Sequence, residues 1–132
     1  MSIEIVSYYL KRHAPLVAVT TSARIYPLMA PQMVVSPYIV LHEIDVSDGT
    51  KLDGQNQYEV SRIQVDCNSQ SATEAKYMGD MVREALLDII KARAIGYIDI
   101  DVIFAMARTD YDDARTMSRR LLQFRVRWRN GP

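Results

Sequence analysis

Arg24-Ile25-Tyr26-Pro27-Leu28-Met29-Ala30-Pro31-Gln32-Met33-Val34-Val35-Ser36-Pro37-Tyr38-Ile39-Val40-Leu41-His42-Glu43-Ile44-Asp45 is the stretch on which the reading of this chain turns. Pro27, Pro31 and Pro37 each fix φ and lack an N–H, so neither a helix nor a central strand runs from Ala23 to Ser36. A connector of that length in a small domain carries function or lies across a partner. It feeds a strand that begins at Tyr38. There Ile39 and Leu41 share one face with Glu43 and Asp45, and Tyr38, Val40, His42 and Ile44 share the other.

Working outward, Ser47 to Gln57 holds Asp48-Gly49 and Asp53-Gly54, both turn dipeptides, and reads as a long exposed hairpin loop. The next strand is Tyr58 to Cys67. Pairing Leu41 with Ile63 and Ile39 with Val65 keeps both apolar sets on the core side. Upstream, Ser2 caps a helix from Ile3, with Ile3, Val6 and Leu10 at helical spacing, and Ala14-Pro15 ends or kinks it. Leu16, Val17 and Val19 then form an apolar turn. Downstream, Ser71-Ala72-Thr73-Glu74 is a capping box opening a helix to about Arg93, with Gly96 as its stop. Its apolar stripe is Met78, Met81, Val82, Ala85, Leu86, Ile89 and Ile90.

The last third reads as a second hairpin. Placing Ile100 opposite Trp128 and Phe104 opposite Phe124 aligns the apolar faces and sets Asp99 against Arg129 and Asp101 against Arg127. The expected fold class is therefore α+β: a two-layer domain over residues 1–132, with an antiparallel four-stranded sheet, two helices on one face and the order αββαββ.

Composition narrows the function. The 132 residues carry sixteen basic and sixteen acidic side chains, so bulk charge gives no reason to seek nucleic acid or an anionic membrane, and neutrality favours self-association. No apolar run approaches the ~20 residues of a membrane helix, and no basic-then-apolar leader opens the chain. Cys67 is the one cysteine, which excludes an intrachain disulfide, and it reads as a small buried residue. His13 and His42 have no metal-ligand spacing to a second His or Cys. The five glycines are scattered singly, so there is no phosphate loop. Asp110, Asp112 and Asp113 lack the glycine and closing Glu of a calcium loop and read as solvated. Arg119, Arg120, Arg125, Arg127 and Arg129 form the strongest charge feature. Phe124 and Trp128 lie on the opposite face from Arg125 and Arg127, which disfavours a stacking surface for nucleic acid and favours a solvated or subunit-facing row. No catalytic centre, metal site or cofactor site is expected, and no enzyme.

Arg24-Ile25-Tyr26-Pro27, Ala30-Pro31-Gln32, Ser36-Pro37-Tyr38-Ile39-Val40 and the strand end Gln64-Val65-Asp66 resemble the tail-completion (tail-terminator, head–tail joining) proteins of long-tailed bacteriophages and related particles. The resemblance spans about residues 8 to 92. Met33 and Cys67-Asn68 depart from the family pattern. The resemblance implies a structural virion protein at the head-proximal end of the tail, made in the host cytoplasm. It further implies a ring, typically of six copies, that caps the tail tube and joins it to the head connector. The implied partners are the chain itself, the tail tube protein and the neck or connector protein. No membrane and no sequence-specific nucleic acid are implied, with DNA passing through the ring lumen. Head closure in the neck, or a small cytoplasmic α+β binding module, are the alternatives. The interface expected on this reading comprises Arg24, Tyr26, Pro27, Met29 and Gln32 of the connector, Asp48, Lys51, Asp53 and Gln55 of the loop, and Arg125 and Arg127 of the arginine row.

Overall fold

A computed structural model describes residues 2–20, 24–30, 36–48, 58–112 and 116–131, with the backbone alone at 47, 48 and 112. In chain order the described elements are α1 (Ser2–Lys11), α2 (Ala14–Thr20), β1 (Ile25–Pro27), β2 (Tyr38–Asp48), β3 (Glu59–Ser69), α3 (Ala72–Ala85), β4 (Ala92–Ala94), β5 (Tyr97–Asp112) and β6 (Met117–Asn130). The six strands form one mixed sheet in the order β1-β2-β3-β6-β5-β4, with β1 parallel to β2 and the other pairs antiparallel.

This corrects the expected four-stranded antiparallel sheet with two helices. Both expected hairpins form, but a three-residue strand is added at each edge and a third helix precedes the sheet. α1 ends at Lys11, just before Ala14-Pro15 as expected. Leu16, Val17 and Val19, however, lie in a new helix rather than a turn, with Pro15 tolerated in the first turn of α2, where its missing N–H would be unpaired anyway. Pro27 closes β1, which is possible because β1 is an edge strand.

The long helix ends eight residues earlier than the expected Arg93, at Ala85, capped by Leu86. Asp88 and Lys91 then take positive φ, and the Val102 N–H donates to the Ile89 carbonyl at 3.0 Å. The chain thus turns away to lay β4 on the sheet. Ile89 is buried, whereas Ile90, expected on the same stripe, is 69% exposed. Gly96 stops no helix. With Ile95 it has positive φ (45° and 85°), as in the primed two-residue turns of hairpins, and joins Ala94 to its partner Tyr97.

The cap at Ser71 is real but differently wired. The Ser71 hydroxyl accepts the Glu74 N–H at 3.3 Å, while Glu74 is reached through Ser69, whose hydroxyl donates to the carboxylate at 2.6 Å and accepts the Ser71 N–H at 3.1 Å.

The three helices cover one face of the sheet. Ile39, Leu41, Ile63, Val65, Cys67, Leu122, Phe124, Val126 and Trp128 meet Ile5, Val6, Leu10, Leu16, Met78, Met81 and Val82 in one core. Pairing of β2 with β3 differs by two residues from expectation: Leu41 faces Val65 and Ile39 faces Cys67. A two-residue shift preserves every side chain's face, so hydrophobic pattern cannot distinguish the two registers. Gly79 of α3 marks the closest approach of helix to sheet, since a Cβ there would lie 2.7 Å from Arg120 Cγ and 3.3 Å from Leu122 Cδ1. Gly79→Ala should therefore cost about 1–3 kcal/mol in denaturant unfolding, despite alanine's better helix propensity. A stabilised variant would mean that this packing is looser than described.

Candidate assembly surface

Two regions gather the residues expected at an interface. The first is the connector. Ile25 is buried at 3% exposure and pairs with Ile39, and Tyr26 and Pro27 lie beside Val40 and Leu41. The Tyr26 ring meets Tyr38 at 6.3 Å between centroids, and the Leu28 N–H donates to the Leu41 carbonyl at 2.8 Å. One residue further, the Met29 N–H bonds back to the Pro27 carbonyl at 2.8 Å, closing a γ-turn around Leu28, whose φ is +70°. A leucine in that region is strained, because its Cβ crowds the following carbonyl.

The turn throws Leu28 and Met29 outward, 65% and 76% exposed. This segment is therefore a docked arm with a fixed apolar tip. Arg24, half-buried, stands at its base. Gln32 lies outside the described residues, as do Lys51, Asp53, Gln55 and the side chain of Asp48.

The second region is the sheet face opposite the helices. Arg125 and Arg127 stand here, both exposed, in register with Arg62 and Val60 of β3 and with Ile103 and Asp101 of β5. The arm and this face lie at different places in the fold, and the sheet does not merge them into one site.

Cross-strand pairs organise the face. Arg127 binds the Asp101 carboxylate, with Nε at 3.1 Å, and its guanidinium lies 4.6 Å from the Tyr58 ring centroid. Arg129 reaches Asp99 at 2.6 Å even though a bulge breaks the ladder there. Arg62 grips Asp45 at 2.7 and 3.0 Å. A bulge between Glu43 and Asp45 turns Asp45 onto this face, away from the side expected for it beside Leu41.

Between these pairs runs a groove of about 440 Å³ lined by Val60, Ile89, Ile90, Val102, Ile103, Asp101, Arg125 and Arg127. It adjoins a second hollow that shares Val60 and Arg125 and includes Asp45, Val46 and Arg62. Towards the other end of the face, Asp66 is buried at 3% exposure. It is held by His42 at 3.0 Å, Gln64 at 3.0 Å and Arg119 at 3.7 Å, which compensates a carboxylate removed from water. Sequence reasoning passed over Asp66 except as part of Gln64-Val65-Asp66. The signal was the polar alternation Gln64, Asp66, Asn68. It also passed over Leu28, Arg62 and Ile103. Cys67 sits in the core, and burial pushes its thiol far up, so it presents no ready nucleophile.

Three carboxylates on this face are held below their ordinary value. The hydrogen bond from Arg62 lowers Asp45, and that from Arg119 lowers Asp110. Burial alone would raise Asp101, but the Lys91 N–H and the Arg127 guanidinium outweigh it and the net shift is downward. Depressed folded-state values contribute stability that is present above the unfolded carboxylate pKa and lost as pH falls through the folded ones. Unfolding midpoints should thus be flat from pH 7 to about 5 and fall below about pH 4. Asp101→Asn should flatten that acid limb; an unchanged limb would show that Asp101 is not one of its sources.

The sequence model of the family described as Tail completion protein gp17 matches residues 8–129. Among solved structures, a chain from "Virion of native gene transfer agent (GTA) particle" shares the fold, with a TM-score of 0.73 and 23% identity. The alignment covers 93% of this chain and 90% of that one. No curated protein sequence matches.

Proposed function

The chain belongs to the Tail completion protein gp17 family and is a structural protein of the virion, and from that premise we propose that it closes the finished tail tube as a ring and joins it to the head. The family match over nearly the whole chain carries this reading. The arm and the arginine face supply it with surfaces. A ring needs two different patches on each copy, one meeting the other on the next copy, with a rotation that closes. The arm tip Leu28-Met29 is an apolar knob on an otherwise anchored strand, suited to a hollow on a neighbouring subunit. The groove between Ile103 and Arg127, an apolar hollow with a polar rim, is a separate surface for the tail tube or connector. Tail tube and connector proteins are the partners above and below the ring. The hexameric count and the touching loop at Asp48, Lys51, Asp53 and Gln55 are part of the proposal.

The test is to assemble particles without this chain and image them. Tails of uncontrolled length beside unattached filled heads are the expected result. Tails of normal length in those particles, with the chain imaged in the neck of wild-type particles, would instead assign it to head closure.

A further inference from the structure

Two strand edges are left open among the described residues. β1 covers only Ile39 to Leu41 of β2, so His42–Asp48 is paired on its β3 side alone. β4 pairs with β5 only between Tyr97 and Ile100, and after the bond from Val102 to Ile89 the stretch Ile103–Asp112 is paired on its β6 side alone. Open edges of this length invite another chain, and soluble proteins ordinarily blunt them. Here they carry exposed apolar side chains: Ile44 at 40%, Val46 at 53%, Ile103 at 60% and Tyr111 at 57%.

We infer that β5 of one copy pairs with β2 of the next, which makes the sheet continuous around the assembly. This rests on the ring reading above and names the contact that builds it. Strand direction supports it. Three antiparallel steps separate β2 from β5, so β5 runs opposite to β2. A neighbour related by rotation therefore offers its β2 antiparallel to β5, the better-bonded arrangement.

The placement of the open lengths fixes the offset. Asp45, Arg62, Arg125 and Ile103 share one row of the sheet, yet the open part of β2 lies at one end and that of β5 at the other. Sliding the neighbour by roughly 17 Å along the strands lays Ala105–Tyr111 against Asp48–His42 and avoids β1. Closing a sheet around an axis requires such a stagger together with tilted strands. In this register Arg108 faces Asp45, and Ala107 faces the exposed Val46. The opposite charges favour it, and slipping by one residue would break both pairings.

The experiment measures mass in solution and negative-stain images for the wild type, Asp45→Arg, Arg108→Asp and the double variant, with circular dichroism to confirm folding. Each single reversal should weaken self-association at least tenfold, and the double should restore it. Separately, oxidation of an Ile44→Cys/Thr109→Cys chain should give a ladder up to the full ring, whereas each single cysteine stops at dimers. Single reversals that assemble normally, or a folded double variant that stays apart without a cysteine ladder, overturn the edge pairing and leave a wild-type ring standing. A wild type that remains monomeric both alone and on tail tubes overturns the ring and the pairing together.

Discussion

Trp128→Ala is expected to lower the stability of the folded chain by about 3–5 kcal/mol, the range for removing a buried large aromatic. Trp128 is 2% exposed and is the largest fully buried side chain in the core. Its ring also meets Tyr97 edge-on at 6.4 Å, an arrangement that adds to burial. The site has little freedom to collapse, because β6 lies between β3 and β5 with ladders on both sides. An emptied position there leaves a cavity. Chemical denaturation should show an earlier midpoint at unchanged slope, as for a two-state loss of packing. Tyr111→Ala, at 57% exposure, is the matched control and should move stability by less than about 0.5 kcal/mol. A Trp128 loss below 1 kcal/mol would mean that the core is not continuous at this end. The same strand carries Arg125 and Arg127, so loosening it should also disorder the exposed row that the proposed interface uses.

The two hairpins were legible because their signals are internal to the strands. Asp101 does face Arg127 and Phe104 does face Phe124, and Arg129 finds Asp99. What stayed hidden depends on contacts between distant segments. Ile25-Tyr26-Pro27 is too short to show a period, and it becomes a strand only because Ile39 to Leu41 offers a free edge. Ala92–Ala94 is a strand for the same reason on the other side. The apolar stripe of α3 continues past Ala85 in sequence, yet Ile90 points to solvent once Asp88 and Lys91 reverse the chain. Periodicity reports which residues want burial and not which partner buries them.

The arm was recognisable by its prolines and by its likeness to a family. Its strained leucine was not, because nothing in the letters Pro27-Leu28-Met29 demands a positive φ. The bulge that brings Asp45 to Arg62 was equally silent, since a skipped residue leaves no mark on composition. Likewise, Asp66 is surrounded by His42, Gln64 and Arg119, which come from three strands. A local pattern could show one polar face but not the cluster.

Leu28→Gly should separate folding from assembly more cleanly than any other change. Leucine at φ +70° costs about 1–2 kcal/mol, and glycine adopts that φ freely. The Met29–Pro27 and Leu28–Leu41 backbone bonds are unaffected, because both use main-chain groups. Glycine's larger unfolded-state entropy offsets part of the relief, so the unfolding midpoint should stay level or rise slightly. A side chain 65% exposed loses little packing when it is removed.

If the arm tip seats in a neighbouring subunit, the same substitution deletes an apolar anchor. Central anchors of an interface are worth about 2 kcal/mol or more, which corresponds to roughly a thirtyfold loss of affinity per contact. A ring repeats that loss at every junction. Leu28→Gly chains should therefore fold normally and fail to join tails to heads, and Met29→Asp should do the same by burying a charge. Complementation of particles lacking the chain measures this directly. Full rescue by both variants would leave the arm as a strained ornament of the edge and remove it from the interface.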